Sequence, residues 1–504
     1  MVFRKKDGHQ AQFLSSNIIY DQLIDDDDVF EKILQVFDFS FIYDEVKHLY
    51  CADNGRPPYD PVRLYKATLV QRLKGLSDPE MEYVARYDIR IKHFIGIPIQ
   101  DFGFDHSTLS LFRTRLGTEL FEKIFQEILT QIVDLGIIKN PKQQYIDSMP
   151  VLAHAALPSV TCLIYQGIKN ITKNLIEELR IQAYEKTSLT DEKLFHYSKA
   201  RPLFKMDNSN RKAAFEKAVN RAREIIYFLE SQNYTSEELD LLKQILNENV
   251  DANDKLIQTE KSIKTLVDKE AKLGHKTKEE LIFGYKNHAT VTEEGIVTAV
   301  EVTSAAEKDD KQTEKIIQKQ EEVSLKPDIM DADAGYGYIE TYKAAKMKRV
   351  ELNAPFRGLD EKELSMYELE YDKDSNTITC LNNISVQGTG KDGLKFEFPI
   401  RMCRKYCPKK SHCPLPPSKR IKLHPDHKIA REAIKRQRQR TEEKKKAKEK
   451  GIKTKSRLII ENVFAYLEKL GGKKTPYIGV GRTTIHVFLV VTMSNIMKTI
   501  RLLG

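Results

Sequence analysis

Helical periodicity dominates the first part of the chain. In segments such as 61–73 and 79–87, apolar residues recur three and four positions apart, which is the spacing of one face of an α-helix. Loops that contain Gly and Pro separate these segments. Asp105 or Ser107 is placed to cap a further helix. The pattern predicts an all-α domain over residues 1–140, with basic residues on its helices that form either a solvated surface or a DNA-binding face.

A second pattern begins near residue 141, where short apolar and β-branched runs alternate with helical segments. Two β-branched runs flank Glu293, Glu294 and Gly295 and predict an antiparallel hairpin. Other strands are predicted around residue 147, at 327–333 and at 349–357, with helices at 308–323 and 339–347. This order predicts an α/β fold in which helices cover both faces of a mixed sheet.

Two stretches interrupt the alternation of strands and helices. Residues 168–280 are rich in Lys and Glu and nearly free of Gly and Pro, which favours long helices. Residues 358–456 lack a regular pattern in their first part and end in a basic stretch. The predicted regions are therefore a helical domain (1–140), the first strand of the core (141–167), a helical insert (168–280), the rest of the sheet (281–357), a Cys-containing basic insert (358–456) and C-terminal helices (457–504).

Composition excludes several classes of protein. The 504 residues have 31% charged side chains, a formal net charge of +9 and a mean hydropathy of −0.49, which is typical of a soluble protein. The start of the chain lacks the apolar core of a signal peptide, and polar residues break the last apolar run, 484–503, so it is predicted to pack on the sheet rather than span a bilayer. Six cysteines are too few for a disulfide scaffold. The expected location is the cytoplasm.

Acidic residues occur inside three otherwise apolar runs. Asp147 lies in a strand-like run, Asp331 and Asp333 lie in another that ends at a Gly-Tyr-Gly turn, and Glu461 lies in a helical run. Burial of a carboxylate costs several kcal/mol unless a cation compensates it. The aspartates near the turn could instead cap the following helix. Three such sites in order predict a metal site.

The second insert carries two further candidate sites. Cys380, Cys403, Cys407 and Cys413 could bind zinc, but the spacing of the last three is C-x3-C-x5-C rather than paired CxxC motifs, so reduced structural thiols are the alternative. In residues 431–457, Lys and Arg outnumber acids about three to one. This stretch is either a solvated helix or an arm that contacts DNA phosphates, with Lys444, Lys445 and Lys446 as candidate contacts.

The acidic runs resemble the catalytic motifs of DDE transposases from bacterial insertion sequences. The first motif of that family, a strand with Asp followed by Ser or Thr and small residues, matches residues 145–156 and selects Asp147. The second, Ala-Asp-x-Gly-Tyr, matches residues 332–336 and favours Asp333 over Asp331. Similar residues also occur in the family at the positions of Lys286, Asp309 and Asp310.

The third motif has Arg, three intervening residues and Glu, followed by an aromatic residue. It matches Arg457, Glu461 and Phe464. The sequence departs from the family where a tyrosine is expected, at Thr454, and where a lysine is expected, at Glu468, although Lys469 lies alongside. These departures concern phosphate contacts, for which Arg457 and Lys469 are the candidates.

The resemblance implies a ribonuclease H-like core that cleaves DNA strands and transfers them to a new site. Asp147, Asp333 and Glu461 would hold two Mg²⁺ ions, with Mn²⁺ as a substitute. The implied partners are the terminal inverted repeats of the element and target DNA, bound by a homodimer associated with the nucleoid. The alternatives are a structure-selective DNA nuclease on the same core and an inactive DNA-binding derivative.

Overall fold

The computed structural model describes residues 20, 22–50, 58–199, 207–257, 259–275, 280–357, 366, 369–449 and 458–504. Helices form the first part of the chain, as the periodicity predicts. Local chemistry sets their starts: the Asp60 side chain accepts hydrogen bonds from the N–H groups of residues 62 and 63, Ser77 forms a capping box with Glu80, and Asp105 caps the last helix. These helices are α1 (Val29–Val36), α2 (Ile42–Val46), α3 (Pro61–Lys74), α4 (Asp78–Tyr87), α5 (Ile89–Ile95) and α6 (His106–Asp134).

A mixed sheet follows the helical region. Strand β1 (Gln143–Leu152) pairs antiparallel with β3 (Leu281–Thr292) on one side and parallel with β5 (Ile329–Ala332) on the other. Strands β2 (Lys272–His275) and β4 (Val297–Ser304) both pair with β3, and β6 (Glu351–Asn353) lies parallel to β5. The predicted hairpin is confirmed as β3 and β4.

Helices cover both faces of the sheet, as predicted. The odd-numbered positions of β1, among them Tyr145 and Met149, pack in one core with α6, α16 (Leu458–Lys469) and α17 (Val480–Leu503). The even-numbered Ile146 packs in another core with α12 (Thr313–Glu322) and α13 (Ile339–Met347). Because successive side chains of a strand point to opposite faces, the two cores assign every residue of β1 to a face.

Helix α17 is long and apolar enough to cross a membrane by length and composition, contrary to the expectation from its polar residues. However, 78% of its apolar window is buried inside the fold. The Asn495 side chain accepts a hydrogen bond from the Val297 N–H at 2.9 Å and donates one to the Val297 carbonyl oxygen at 2.8 Å. The prediction that this helix packs on the sheet is confirmed.

The first insert is helical, as predicted, but its helices begin at Val160 and end at Asn249. The prediction of a helical insert up to residue 280 is wrong for its last part, which contains β2 (Lys272–His275). Its helices surround their own apolar core, which contains Ile168, Ile225 and Leu242. They are α7 (Val160–Asn174), α8 (Glu177–Thr187), α9 (Asp191–Tyr197), α10 (Asn208–Ser231) and α11 (Glu237–Asn249).

The second insert is more regular than its sequence pattern indicates. It contains two small antiparallel sheets around a core that includes Ile378 and Phe396, followed by a long helix. Its elements are β7 (Glu370–Asp372), β8 (Thr377–Thr379), β9 (Ser385–Gln387), β10 (Lys395–Glu397), α14 (Ile400–Lys405), β11 (Arg420–Lys422) and α15 (His427–Glu449). Three-residue strands are too short to show a period-two pattern, which is why the sequence did not reveal them.

Candidate active site

Asp147 lies in the middle of β1 and is half-buried. It is opposite Ala289 of β3 and, by strand alternation, points to the face that α16 covers, between Tyr145 and Met149. Its Oδ1 accepts a hydrogen bond from the Ser148 N–H at 2.8 Å. The carboxylate is therefore held within the core sheet but is not sealed from solvent.

Asp333 follows directly after β5, the parallel neighbour of β1. The register pairs Tyr145 with Asp331 and Ile146 with Ala332, so its continuation brings Asp333 level with Asp147 at the end of the ladder. Neighbouring strands lie about 4.8 Å apart, which makes these two aspartates neighbours although they are 186 positions apart in the chain.

The expected strand ends one residue before Asp333, and this aspartate starts a turn instead. Its Oδ1 accepts the Gly335 N–H at 2.7 Å and caps the short 3₁₀ turn Ala334–Tyr336. The alternative that these acids cap the next helix is wrong, because the N-cap residue of α13 is Tyr338 and it makes no side-chain capping bond.

Asp331 is held by side chains. It accepts hydrogen bonds from Gln143 Nε2 at 2.9 Å, Asn353 Nδ2 at 3.2 Å and Arg440 Nη1 at 3.0 Å. Arg440 belongs to α15 and also lies 3.5 Å from Glu351 Oε1. Asp331 therefore binds α15 to the sheet through its ion pair with Arg440.

Glu461 occupies the first turn of α16 and is exposed. Ile460, Val463 and Leu467 of the same helix pack in the core that contains Tyr145 and Met149. Helix α16 thus lies on the sheet face to which Asp147 points.

The ligand atoms of Asp147, Asp333 and Glu461 do not all fall within 4.8 Å of one another. Among the described residues, only Glu82, Asp105 and His106 form a group that tight. Glu82 lies beside the exposed start of α6, where its carboxylate accepts hydrogen bonds from the backbone N–H and from a ring nitrogen of His106. A pair of metal ions about 3.5–4 Å apart has ligands spread over a wider region than one ion does. The convergence of the three acids on one pair of metal ions therefore stays a prediction.

A polar cluster lies behind the aspartates, on the opposite face of the sheet. Asp309 accepts hydrogen bonds from Ser148 Oγ at 3.1 Å and from Lys286 Nζ at 2.8 Å. The ring of His288 lies 4.0 Å from Asp309, and burial lowers the pKa of His288 to about 4. The family resemblance included Lys286 and Asp309, but the sequence indicated no role for them. Their contacts join segments that are far apart in the chain, and such contacts cannot be recognised from the sequence.

The basic stretch is helical, as one of its two interpretations predicts, and its two halves differ. In the first half of α15, Ala433 and Ile434 are buried against the neighbouring elements. In the second half, Lys445 and Lys446 are exposed. The Lys444 side chain and all of Arg457 lie outside what the structure describes, and Lys469 is exposed at the end of α16.

The four cysteines of the second insert are neighbours in one small core. Burial raises the pKa of the Cys403 thiol, and the charge of the other three cysteines raises this pKa further. Lys419 Nζ lies 3.4 Å from Cys413 Sγ. A tetrahedral zinc site needs sulfurs about 3.8 Å apart, whereas no three of these sulfurs lie within 4.8 Å of one another in the described chain.

Comparisons with known protein families give two matches. Residues 18–115 match a family described as a transposase domain, and residues 250–496 match the transposase DDE domain. The second match includes Asp333 and Glu461 and begins after Asp147 and most of the first insert. No curated protein and no solved structure matches the chain. The two matches, in this order along a chain with N-terminal helices and a mixed α/β core, support a DDE transposase.

Proposed function

We propose that this chain is a transposase that binds the ends of an insertion sequence, cuts the DNA there and joins it to a target. The observation that carries the proposal is the register of β1 and β5, whose continuation brings Asp147, in the middle of β1, level with Asp333, which directly follows β5. The strand order, with an antiparallel hairpin on one side of β1 and parallel strands on the other, supports the ribonuclease H-like core that the resemblance implies.

The donor set fits Mg²⁺. Hard divalent cations prefer carboxylate oxygens and retain several waters, so a pair of them needs only a few protein ligands. Asp147 and Asp333 are half-buried and Glu461 is exposed, which leaves space for waters and for DNA. Bound Mg²⁺ would activate the attacking oxygen and stabilise the charge on the leaving oxygen.

The chain's own residues would hold and orient these groups. β1 would fix Asp147 as a member of the hydrogen-bonded sheet, and the turn after β5 would fix Asp333, whose Oδ1 accepts the Gly335 N–H. α16 brings Glu461 over the same face. Asp331 and Arg440 hold α15 beside the site, so the exposed Lys445 and Lys446 on the same helix can contact DNA phosphates.

Transposition joins two ends of one element, so we propose that a homodimer binds the terminal inverted repeats, one end to each protomer. Basic side chains in the N-terminal helical region would contribute to that binding. Of these, Lys66 is buried, which lowers its pKa to about 8, so exposed residues such as Arg90 and Arg115 are the better candidates for DNA contacts.

The experiment combines cleavage and joining on DNA that ends in the element's own terminal sequence. We expect the wild-type chain to nick this DNA and join its 3′ end to a target with Mg²⁺ or Mn²⁺, and to do neither with EDTA. Asp147→Asn, Asp333→Asn and Glu461→Gln should each abolish both steps while DNA binding persists.

Cleavage without joining would instead identify a nuclease. DNA binding without any metal-dependent cleavage by the wild-type chain would identify an inactive binding protein. Full cleavage by the Asp147→Asn variant would overturn the assignment of the site.

A further inference from the structure

We infer that Asp309 is a positioning residue that sets the spacing between Asp147 and Asp333, an inference that rests on the proposed function. It contacts β1 next to Asp147 and the turn that follows β5, from the sheet face opposite Asp147. Nothing in the motifs assigns this task to any residue, and the local sequence around Asp309 gives no sign of it.

The first link joins Asp309 to β1. Its Oδ2 accepts a hydrogen bond from Ser148 Oγ at 3.1 Å, and Ser148 directly follows Asp147. A displacement of Asp309 would therefore change the position of the backbone next to the Asp147 carboxylate.

The second link joins Asp309 to the turn that carries Asp333. A Cβ atom built on Gly335 would lie 2.8 Å from Asp333 Oδ1 and 3.3 Å from Asp309 Oδ2. The two carboxylates therefore both lie beside Gly335, and a side chain at this position would displace the Asp333 carboxylate and crowd that of Asp309. The Gly335 N–H also donates to Asp333 Oδ1 at 2.7 Å, so the turn that Asp309 abuts is the one that orients Asp333.

The third link is to β3, through Lys286. Its Nζ lies 2.8 Å from Asp309 Oδ1 and also donates to the Glu307 carbonyl oxygen at 3.1 Å. The two side chains are only 12% and 20% exposed, so solvent screens this ion pair less than a surface pair. Two carboxylates close together repel, and Lys286 offsets that repulsion for Asp309.

The geometry favours a positioning role over direct metal ligation. Ser148 points to the sheet face opposite Asp147 by strand alternation, and the oxygens of Asp309 are engaged by Ser148 and Lys286. His288, 4.0 Å from Asp309, is a neutral ring at neutral pH because burial lowers its pKa to about 4. Lys286 is thus the cation that partners Asp309.

A matched control lies on the same sheet face. Glu301 of β4 is 2.9 Å from Lys319, and these side chains are 18% and 21% exposed. The partners of Glu301, Lys315 and Lys319, belong to α12 rather than to the strand ends. Glu301→Gln therefore weakens an ion pair of similar burial without touching the segments that carry Asp147 and Asp333.

The test measures Mn²⁺ binding to the purified full chain, without DNA, by electron paramagnetic resonance, together with the thermal midpoint of each variant. Loss of a group that orients metal ligands typically weakens metal affinity about 10–100-fold. We expect that loss for Asp309→Asn, whereas Glu301→Gln should bind Mn²⁺ as the wild type does and lose as much thermal stability. Wild-type Mn²⁺ affinity in Asp309→Asn, or an equal loss in both variants, overturns the inference.

Two further variants keep the test decisive. If Asp309→Asn does not fold, Ser148→Ala removes only the hydrogen bond between Asp309 and β1. Weaker Mn²⁺ binding at an unchanged thermal midpoint then supports the inference, and unchanged Mn²⁺ binding overturns it.

Asp147→Asn distinguishes a failure of this inference from a failure of the proposed function. If that variant keeps wild-type Mn²⁺ affinity and DNA cleavage, the proposed function fails and this inference fails with it, whereas a failure of Asp309 alone leaves the proposed function standing.

Discussion

Asp331 and Asp333 are separated by one residue, yet their surroundings differ in almost every respect. Asp331 lies within the ladder, level with Tyr145 and Asn353, and accepts hydrogen bonds from three side chains. Asp333 lies past the end of β5, where its Oδ1 accepts a backbone N–H. One carboxylate joins two parts of the fold, and the other lies directly after the end of β5.

The difference shows that the position relative to the end of β5, rather than the residue type, separates the structural Asp331 from the candidate catalytic Asp333. Alternation along a strand would give both aspartates the same face. β5 ends at Ala332, however, and Asp333 begins the turn that follows, where its Oδ1 accepts the Gly335 N–H. The following predictions test this contrast.

The largest effect is expected for Asp333→Asn. Loss of a carboxylate that holds the metal pair removes several kcal/mol of transition-state stabilisation, which corresponds to a decrease in cleavage rate of about 10³-fold or more. Affinity for the element's end should stay within about two-fold, since phosphate contacts by Lys and Arg dominate binding. Rates on labelled DNA and a gel-shift titration measure both quantities, and equal loss of the two would make Asp333 structural.

Asp331→Asn is expected to show the opposite profile. Cleavage should remain substantial, while the free energy of unfolding falls by about 1 kcal/mol, because Arg440 keeps Glu351 but loses Asp331, its partner in a pair that is 31% and 21% exposed. Urea unfolding of Asp331→Asn, Arg440→Met and the double variant gives the coupling energy between the two side chains. A coupling energy near zero, or loss of cleavage as complete as in Asp333→Asn, would contradict the contrast.

The second half of α15, which carries the exposed Lys445 and Lys446, should affect DNA binding through its charge alone. Each neutralised phosphate contributes about −0.9 to the slope of log affinity against log salt, so replacement of Lys444, Lys445 and Lys446 by Ala should flatten the slope by roughly two to three units. The preferred DNA sequence should not change, because phosphate contacts position a protein without specifying bases. Titrations at several salt concentrations decide, and an unaltered slope would mean that this end of the helix is only solvated.

The smallest effect is expected at the cysteine cluster. Its sulfurs are not gathered to zinc-binding distance, and Lys419 lies against Cys413, so the purified chain should contain far less than one zinc per molecule. A strong chelator should then leave the thermal midpoint unchanged. Stoichiometric zinc by elemental analysis, released only as the chain unfolds, would show instead that the four thiols close around a metal.

Local chemistry made much of the fold predictable. Asp60 before Pro61, and Ser77 three residues before Glu80, mark helix starts within a few residues of sequence. The hairpin of β3 and β4 follows from two β-branched runs around Gly295.

Contacts between distant segments were not predictable. Arg440 reaches Asp331 across 109 residues, and Ser148 reaches Asp309 across 161 residues. Hydrophobic periodicity carries no information about such pairs. The three acids were found from their apolar surroundings and their resemblance to a family, whereas the residues that hold the strand ends emerged only with the strand register.

The most direct test of the account is a crystal structure of the chain soaked with Mn²⁺, read by anomalous scattering. The account predicts two peaks about 3.5–4 Å apart, coordinated by Asp147, Asp333 and Glu461, with Asp331 still bound to Arg440. Carboxyl carbons of the three acids more than about 10 Å apart, or manganese bound only elsewhere, such as at Glu82, Asp105 and His106, would contradict it.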